Sequence, residues 1–375
     1  MIYGNQRRNS LKYTYLLPGF SFYDGCIYYR NYQPALAMQK LGHQVDFTLL
    51  NPQFNREKLL NLDFVIFSRY YPMDLSPLVL YLQRNGVKIV YETDDDLENI
   101  PPTNPTKKII EQFLESVYML GNACDIITTT APYYAKQLEK RYPNKPVRII
   151  PNCIDYTMFL PRQHGDRLKI GWAGGVTHCG DVSMVMDSII KLQEKHDFDF
   201  ILNGISANPI EAQAFDWEKS CELNLADPND PFMKTGLDFV RKLPKIKNFM
   251  FYPFYPTAMY PSILTRMDLD IGLAPVVDNV FSRSKSNMKF YEYAAVESLT
   301  LASNVIPYNT EMTHKECLVE NTVEDWHDKL EVFIKDKTLR EKIQKEQTEW
   351  VKENRDNEKV VKQWEKAFEE MLDTK

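Results

Sequence analysis

The sequence predicts an α/β protein built from two successive doubly wound domains, each a parallel sheet with helices on both faces. Two observations predict it. Short apolar runs rich in β-branched and aromatic residues alternate with stretches of helical length almost to the end of the chain, as a parallel sheet with crossover helices requires. The series also pauses once, near residue 160, and then begins again. At 375 residues the chain is too long for one ordinary core and suits two.

In the first half the expected strands are Lys12–Leu17, Gln44–Leu50, Asp63–Ser68, Lys88–Thr93, Asp125–Thr130 and Val147–Pro151. The helical patterns between them are Tyr32–Leu41, Leu75–Asn85, Lys107–Leu120 and Pro132–Tyr142. Asp155–Gly165, with Pro161, Gln163 and Gly165, reads as the linker between domains. The second series has strands at Leu168–Trp172, Phe198–Asn203, Asn248–Tyr252, Asp268–Ala274 and Thr300–Ser303. Its helices are Val182–His196, Tyr260–Met267 and Lys289–Glu297. Residues 206–247 are polar and Pro-broken and read as an insertion with one or two helices. From Val323 the chain is charged and helical, with apolar faces that would pack on the domains. The expected partition is 1–160, 161–335 and 336–375.

Composition narrows the class. With 44% hydrophobic and 26% charged residues the chain reads as a soluble globular protein. A net charge of −6 gives no global attraction to nucleic acid or anionic membrane. No apolar run approaches a spanning helix, and the polar start with Arg7 and Arg8 is not followed by a signal-peptide core. The six cysteines are scattered without a CxxC pair, which suits reduced thiols in a cytosol. The expected location is therefore cytoplasmic, or peripheral at a membrane.

In open parallel sheets ligands sit at the carboxyl ends of strands, so the residues just after each strand carry the functional reading. After the first strand, Gly19–Arg30 leads into a helix expected to begin near Asn31. Its N-terminus, with Tyr29 and Arg30, would suit an anion; a solvated surface loop is the plainer alternative. No GxGxxG stands here, which disfavours a dinucleotide oxidoreductase. After the fourth strand comes Tyr91-Glu-Thr-Asp-Asp-Asp-Leu97. One of Asp94, Asp95 and Asp96 would orient an acceptor or sugar hydroxyl; capping alone, or a divalent ion shared by Asp94 and Asp96, are the other readings.

The second half opens with Gly171-Trp-Ala-Gly-Gly-Val-Thr-His-Cys-Gly-Asp181. Gly174 and Gly175 would let backbone approach a ligand closely, with His178 in the same turn. The strongest pattern is Asp268-Leu-Asp-Ile-Gly-Leu-Ala-Pro275 followed by Ser282-Arg-Ser-Lys-Ser-Asn-Met-Lys-Phe-Tyr-Glu-Tyr-Ala-Ala295. It reads as a buried strand, a basic loop and a helix. Arg283, Lys285 and Lys289 would face a diphosphate, and Glu292 would accept from ribose hydroxyls, each charge-assisted bond being worth roughly 1.5–3 kcal/mol. A helix start this basic opposes the helix dipole and calls for another reason to exist.

Taken together these pieces, with Ala123-Cys-Asp-Ile-Ile-Thr-Thr-Thr130 and Pro151-Asn-Cys-Ile-Asp155, resemble in order and spacing the retaining GT-B glycosyltransferases of family 4, in a bacterial and phage branch with an Asp-rich first-domain motif. The resemblance runs from the first strand to about residue 310. It implies two Rossmann-like domains facing a cleft, a nucleoside diphosphate sugar bound mainly to the second, and a C-terminal helix crossing back to the first. It further implies transfer with retained configuration and no obligatory metal or cofactor. Glu292 matches the second Glu of the family's Glu-x7-Glu element, and Lys285 and Lys289 match its basic positions. Asp94 and Asp95 align with a sugar-contacting His-Asp pair. Three positions depart from the pattern: Ser284 replaces the first Glu, Glu297 and Leu299 replace a Gly and a Pro, and aspartates replace a His near 94.

The expected activity is transfer of a sugar to an acceptor hydroxyl, on a glycan or lipid-linked acceptor or, alternatively, on a hydroxymethylated DNA base. An inactive nucleotide-sugar binding protein is the rival from another class. Catalytic roles fall to Lys285, Asp94 and Asp95, with the leaving phosphate itself taking the acceptor's proton. Donor contacts fall to Gly174, Gly175, His178, Arg283, Lys289 and Glu292, and acceptor or anion contacts to Tyr29, Arg30 and Asp96. No residue is assigned to a metal.

Overall fold

The computed structural model describes residues 10–19, 24–160, 162–163, 165–204, 227 and 229–373. Arg7, Arg8, Pro161, Cys221 and most of the expected insertion, up to residue 226, lie outside the described residues. The chain forms two compact units: one contains the residues up to Leu97, Ile110–Asn152 and everything from Asn357, the other Glu98–Ile109 and Cys153–Asp356.

Unit one is built on β1 (Lys12–Leu17), β2 (Gln44–Leu49), β3 (Phe64–Ser68), β4 (Lys88–Glu92), β5 (Ile126–Thr129) and β6 (Val147–Ile149). The six strands lie parallel in the order β2-β1-β3-β4-β5-β6. In register, Tyr13 stands opposite both Val45 and Phe64. Strands β1 and β3 are apolar without alternation and are buried on both faces, apart from Lys12, as the middle of a parallel sheet demands. Tyr13 stacks on Phe64 at 4.5 Å, and Phe368 of the last helix, Asn357–Asp373, packs on both rings.

Two helical boundaries differ from expectation. The helix after β1 begins at Gly25, not near Asn31. Asp24 caps it by accepting from the amides of Cys26 (2.9 Å) and Ile27 (3.1 Å). It then passes through a π-turn at Tyr28–Tyr32 into Gln33–Lys40. Burial of Tyr28 and Tyr29 overrides the weak helix propensity of that aromatic stretch. The expected helix Lys107–Leu120 is broken by a 3₁₀ turn at Glu111–Phe113, where the Phe113 ring stacks on Tyr70, and resumes as Leu114–Ala123.

Unit two repeats the plan with β7 (Lys169–Ala173), β8 (Asp199–Asn203), β9 (Phe249–Tyr252), β10 (Ile271–Ala274), β11 (Leu299–Ser303) and β12 (Leu318–Val319). All are parallel, in the order β12-β11-β10-β7-β8-β9. The two-residue edge strand β12 was not foreseen. Its core gathers Ala173, Ile201, Leu264, Met267, Leu269, Tyr293 and Val296. Tyr293 reaches across β10 to donate to the Leu273 carbonyl at 3.0 Å, and a Cβ on Gly272 would lie 2.4 Å from its ring. Only glycine leaves that path open. Glu297 holds φ 54° in the turn between the helix Met288–Ala295 and β11, so the chain turns there through a left-handed residue without a glycine. Among the described residues no helix is long and apolar enough to cross a membrane.

Candidate functional site

Each sheet has a switch point, where the chain leaves one side of its first strand and continues on the other. In unit two it lies between β7 and β10, and in unit one between β1 and β3. Crevices at the carboxyl ends of such strands are where doubly wound sheets take ligands.

At the unit-two switch point, β7 runs into Gly174, Gly175, a 3₁₀ turn at Val176–His178 and the helix Cys179–Leu192. Gly174 answers to internal packing, since a Cβ there would sit 2.4 Å from the Trp172 ring. Gly175 is open: among the described residues a Cβ on it would meet nothing within 4 Å. His178 Nδ1 lies 2.7 Å from Asp181 Oδ2, and the other oxygen of Asp181 accepts from the Val277 amide at 2.8 Å. Burial and the charge of Lys285 lower the His178 pKa, Asp181 opposes them, and Lys289 adds to the lowering.

Beyond β10 the expected basic loop is in part helical. Asn279 accepts from the Ser282 amide and caps a single turn, Val280–Ser284. Within it, Arg283 forms a two-pronged pair with Asp278 (2.5 and 2.7 Å) and keeps that carboxyl below the usual range. Ser284 is fully buried and donates to the Val280 carbonyl. Lys285 lies over the Phe281 ring at 4.6 Å and makes no ion pair with any described residue. Lys289, in the first turn of Met288–Ala295, sits 5.7 Å over the Trp172 ring and 3.4 Å from Glu292 Oε2. The same oxygen accepts from the Tyr260 hydroxyl at 2.9 Å. Glu292 is buried, its side chain only 4% exposed. The structure therefore brings His178, Lys285, Lys289 and Glu292 to one edge of unit two, joined by Tyr260, which the sequence reading missed.

The unit-one switch point is different in character. Arg69 follows β3 with φ 61°, a left-handed conformation rare for a side chain of its size. Its guanidinium lies 3.2 Å from Asp95 and 3.8 Å from Asp94. Burial raises the Asp94 pKa; Arg69 opposes this and Asp95 reinforces it. Cys26 Sγ stands 4.0 Å from Asp95, its thiol pushed up by burial. One ligand atom each from Cys26, Asp94 and Asp95 lie within 4.8 Å of one another. Arg69 already supplies positive charge against both carboxylates, and this disfavours a divalent ion. The expectation that Asp96 contacts an acceptor, or alternatively shares an ion with Asp94, is corrected: its side chain is wholly buried, 3.6 Å from Arg141. Arg69 was also missed; its place directly after a central strand was the available signal.

The expectation that Tyr29 and Arg30 flank a helix N-terminus is corrected too. Both are buried within the helix. Tyr29 packs edge-on against Tyr28 at 5.1 Å. Arg30 binds Glu92 at 2.7 and 3.1 Å, the Ile150 carbonyl at 2.7 Å and Asn152 at 3.1 Å, with Trp364 stacked on it at 4.6 Å. A second ligand of Glu92, the Thr128 hydroxyl, completes the cluster. The anion that Arg30 binds is therefore Glu92, inside the unit.

No family model matches the chain, and no curated protein does. Solved structures do. A glycosyltransferase from Rickettsia africae superposes over 98% of this chain and 100% of its own, with TM-score 0.67 and 14% identity. HepE from Anabaena, in complex with UDP and glucose, matches over 96% and 100%, with TM-score 0.64 and 10% identity. An alpha-glucosyltransferase in complex with UDP-glucose and DNA containing an abasic site matches over 95% and 98%, with TM-score 0.64 and 11% identity. At such identities the likeness speaks to the fold alone, and the fold is that of the GT-B glycosyltransferases, with two six-stranded parallel sheets and their helices.

Proposed function

We propose that the chain is a glycosyltransferase that moves a sugar from a nucleoside diphosphate sugar to an acceptor hydroxyl with retention of configuration. The observation that carries this reading is the edge of unit two, where Lys289 stands 3.4 Å from Glu292, the charges of Lys285 and Lys289 both act on His178, and Lys285 makes no ion pair with a described residue. A diphosphate would supply the missing negative charge, and Glu292 would take ribose hydroxyls. The fold neighbours crystallised with UDP or UDP-glucose support the same donor class.

In the reaction the bond from the anomeric carbon to the phosphate oxygen breaks and the bond to the acceptor oxygen forms on the same face. The acceptor's proton passes to the departing phosphate. Lys285 and Lys289 stabilise the charge that grows on that phosphate, a contribution of about 2.7–4 kcal/mol for a well-placed donor. Asp94 and Asp95, held by Arg69, would orient acceptor hydroxyls from unit one. No step is assigned to a metal.

A glycan or lipid-linked acceptor fits best with a net charge of −6. The DNA-bound alpha-glucosyltransferase among the fold neighbours favours a second reading, transfer to a hydroxylated DNA base, which a salt-sensitive gel shift separates from the first. The test of the main reading is a thermal-shift screen against UDP-, GDP-, ADP- and CMP-sugars, with and without chelator. A rise in melting temperature that survives the chelator is expected. No rise with any nucleotide would refute the donor site, and binding without nucleotide release in any acceptor mixture would leave a binding protein.

A further inference from the structure

We propose that His178 contacts the transferred sugar, its Nε2 lone pair accepting a hydrogen bond from a sugar hydroxyl while Asp181 fixes the tautomer. The inference rests on the donor reading above and adds which part of the donor this side chain recognises. A carboxylate is an acceptor only, so the 2.7 Å contact from Asp181 Oδ2 places the proton on Nδ1. Asp181 cannot turn away easily, because its other oxygen holds the Val277 amide at 2.8 Å. With Nδ1 protonated, the neutral ring offers a bare Nε2, which bonds to no described residue. The charged groups that act on the ring are Lys285, Lys289 and Asp181, with the Trp172 ring 6.1 Å away, and the two lysines, with burial, favour its neutral form.

A bare nitrogen repels phosphate oxygens, which are acceptors themselves. It attracts a hydroxyl. Glu292 is one candidate acceptor in the cluster, while Ser284 is buried and spends its hydroxyl on the Val280 carbonyl. His178 also sits where β7 ends, in the same turn as Gly175, over which no described residue comes within 4 Å of a Cβ position. The geometry thus divides the labour: lysines for phosphate, Glu292 for ribose, His178 for the sugar.

Calorimetry on the full chain tests this with UDP, ADP and GDP, followed by the glucose, galactose and N-acetylglucosamine forms of whichever binds best. The wild type should bind one sugar form more tightly than the bare nucleotide. His178→Ala should remove roughly three- to tenfold of affinity from that sugar form, the worth of one neutral hydrogen bond, and change the bare nucleotide by less than about twofold. Equal losses for both, or no gain from any sugar in the wild type, would overturn the proposal. Asp181→Asn keeps the imidazole. Its one carbonyl oxygen is claimed by the Val277 amide, so its NH₂ meets Nδ1 and drives the ring proton to Nε2; the sugar gain should vanish, and a retained gain would overturn the tautomer argument. Nitrogen-15 imidazole spectra of the wild type should show a protonated Nδ1 and a bare Nε2, and a proton on Nε2 would overturn the proposal without any ligand. A wild type that binds none of the three nucleotides refutes the donor reading itself, and this inference with it; nucleotide binding with uniform losses refutes the inference alone.

Discussion

Both units set cations near a glutamate at the carboxyl end of a parallel sheet, and two of those cations, Arg30 and Lys285, are left in opposite states. In unit one all three guanidinium nitrogens of Arg30 are bonded: Glu92 takes two of its bonds, Ile150 and Asn152 two more, and Trp364 covers the plane. Both side chains are 2% exposed, and burial raises the Glu92 pKa while Arg30 pulls it down. In unit two Lys289 reaches Glu292 only at 3.4 Å, and Lys285 has an aromatic ring for company and no carboxylate among the described residues. A saturated pair belongs to the architecture. Lys285, which makes no ion pair with a described residue, is where an anion from outside gains most. The comparison can be broken at four points.

The largest effect is expected in unit one. Arg30→Ala leaves Glu92 buried without its counter-charge, which should cost about 3–5 kcal/mol, read as a fall in the urea midpoint. Replacing both partners with apolar residues of similar size should recover much of that loss. An unchanged midpoint in the single variant would mean that the two cations are not different in kind.

Lys285→Ala should do the reverse. The melting temperature of the free protein should hardly move, because the side chain only lies over Phe281. Turnover with a nucleoside diphosphate sugar should fall about a hundredfold or more, since a donor to developing charge is lost. Near-normal turnover would remove Lys285 from the proposed chemistry.

The same contrast explains what the sequence made legible. Strand Lys12–Leu17 and helix Tyr260–Met267 match their expected limits, because an uninterrupted apolar run and a Pro near the helix start fix them locally. Asp268–Ala274 was read too long: Asp268 is left-handed at φ 51° and binds Arg162, Lys169 and the Gly165 amide, contacts that lie about a hundred residues away in sequence. The Arg30–Glu92 pair spans 62 residues and has no periodic signature, so Arg30 read as a free cation. Arg283–Asp278 is five residues apart and could have been seen. Lys285, Lys289 and Glu292 were legible because one turn and one helix carry all three. Tyr260 was not, since it meets Glu292 only across 32 residues of chain, whereas Arg69 stood directly after a central strand and could have been seen.

Glu292→Gln is a milder perturbation. It keeps the shape and the Tyr260 contact but weakens charge-assisted bonds, which are worth roughly 1.5–3 kcal/mol for the full charged interaction. The donor's KM should rise about tenfold with kcat little changed, because ribose is bound equally in ground and transition states. An unchanged KM would place the ribose elsewhere.

The smallest expected effect is a pH dependence. The folded-state pKa of His178 is lowered, first by burial and then by Lys285, with Lys289 adding and Asp181 opposing. In the unfolded chain the group titrates near its ordinary value of about 6.5. Between the folded value and about 6.5 the unfolded chain binds the proton and the folded protein does not, so stability rises with pH across that window. Above it both states are neutral and below it both are charged, so the His178 contribution is flat at either end. The slope from one group cannot exceed about 1.4 kcal/mol per pH unit. Since other groups titrate in the same range, the quantity to measure is the stability difference between wild type and His178→Gln in urea at pH 7.5, 6 and 5. That difference should shift steadily against the wild type as the pH falls. A constant difference would mean that the lysines and the half-buried ring are not coupled, and Lys285 would then be as self-contained as Arg30.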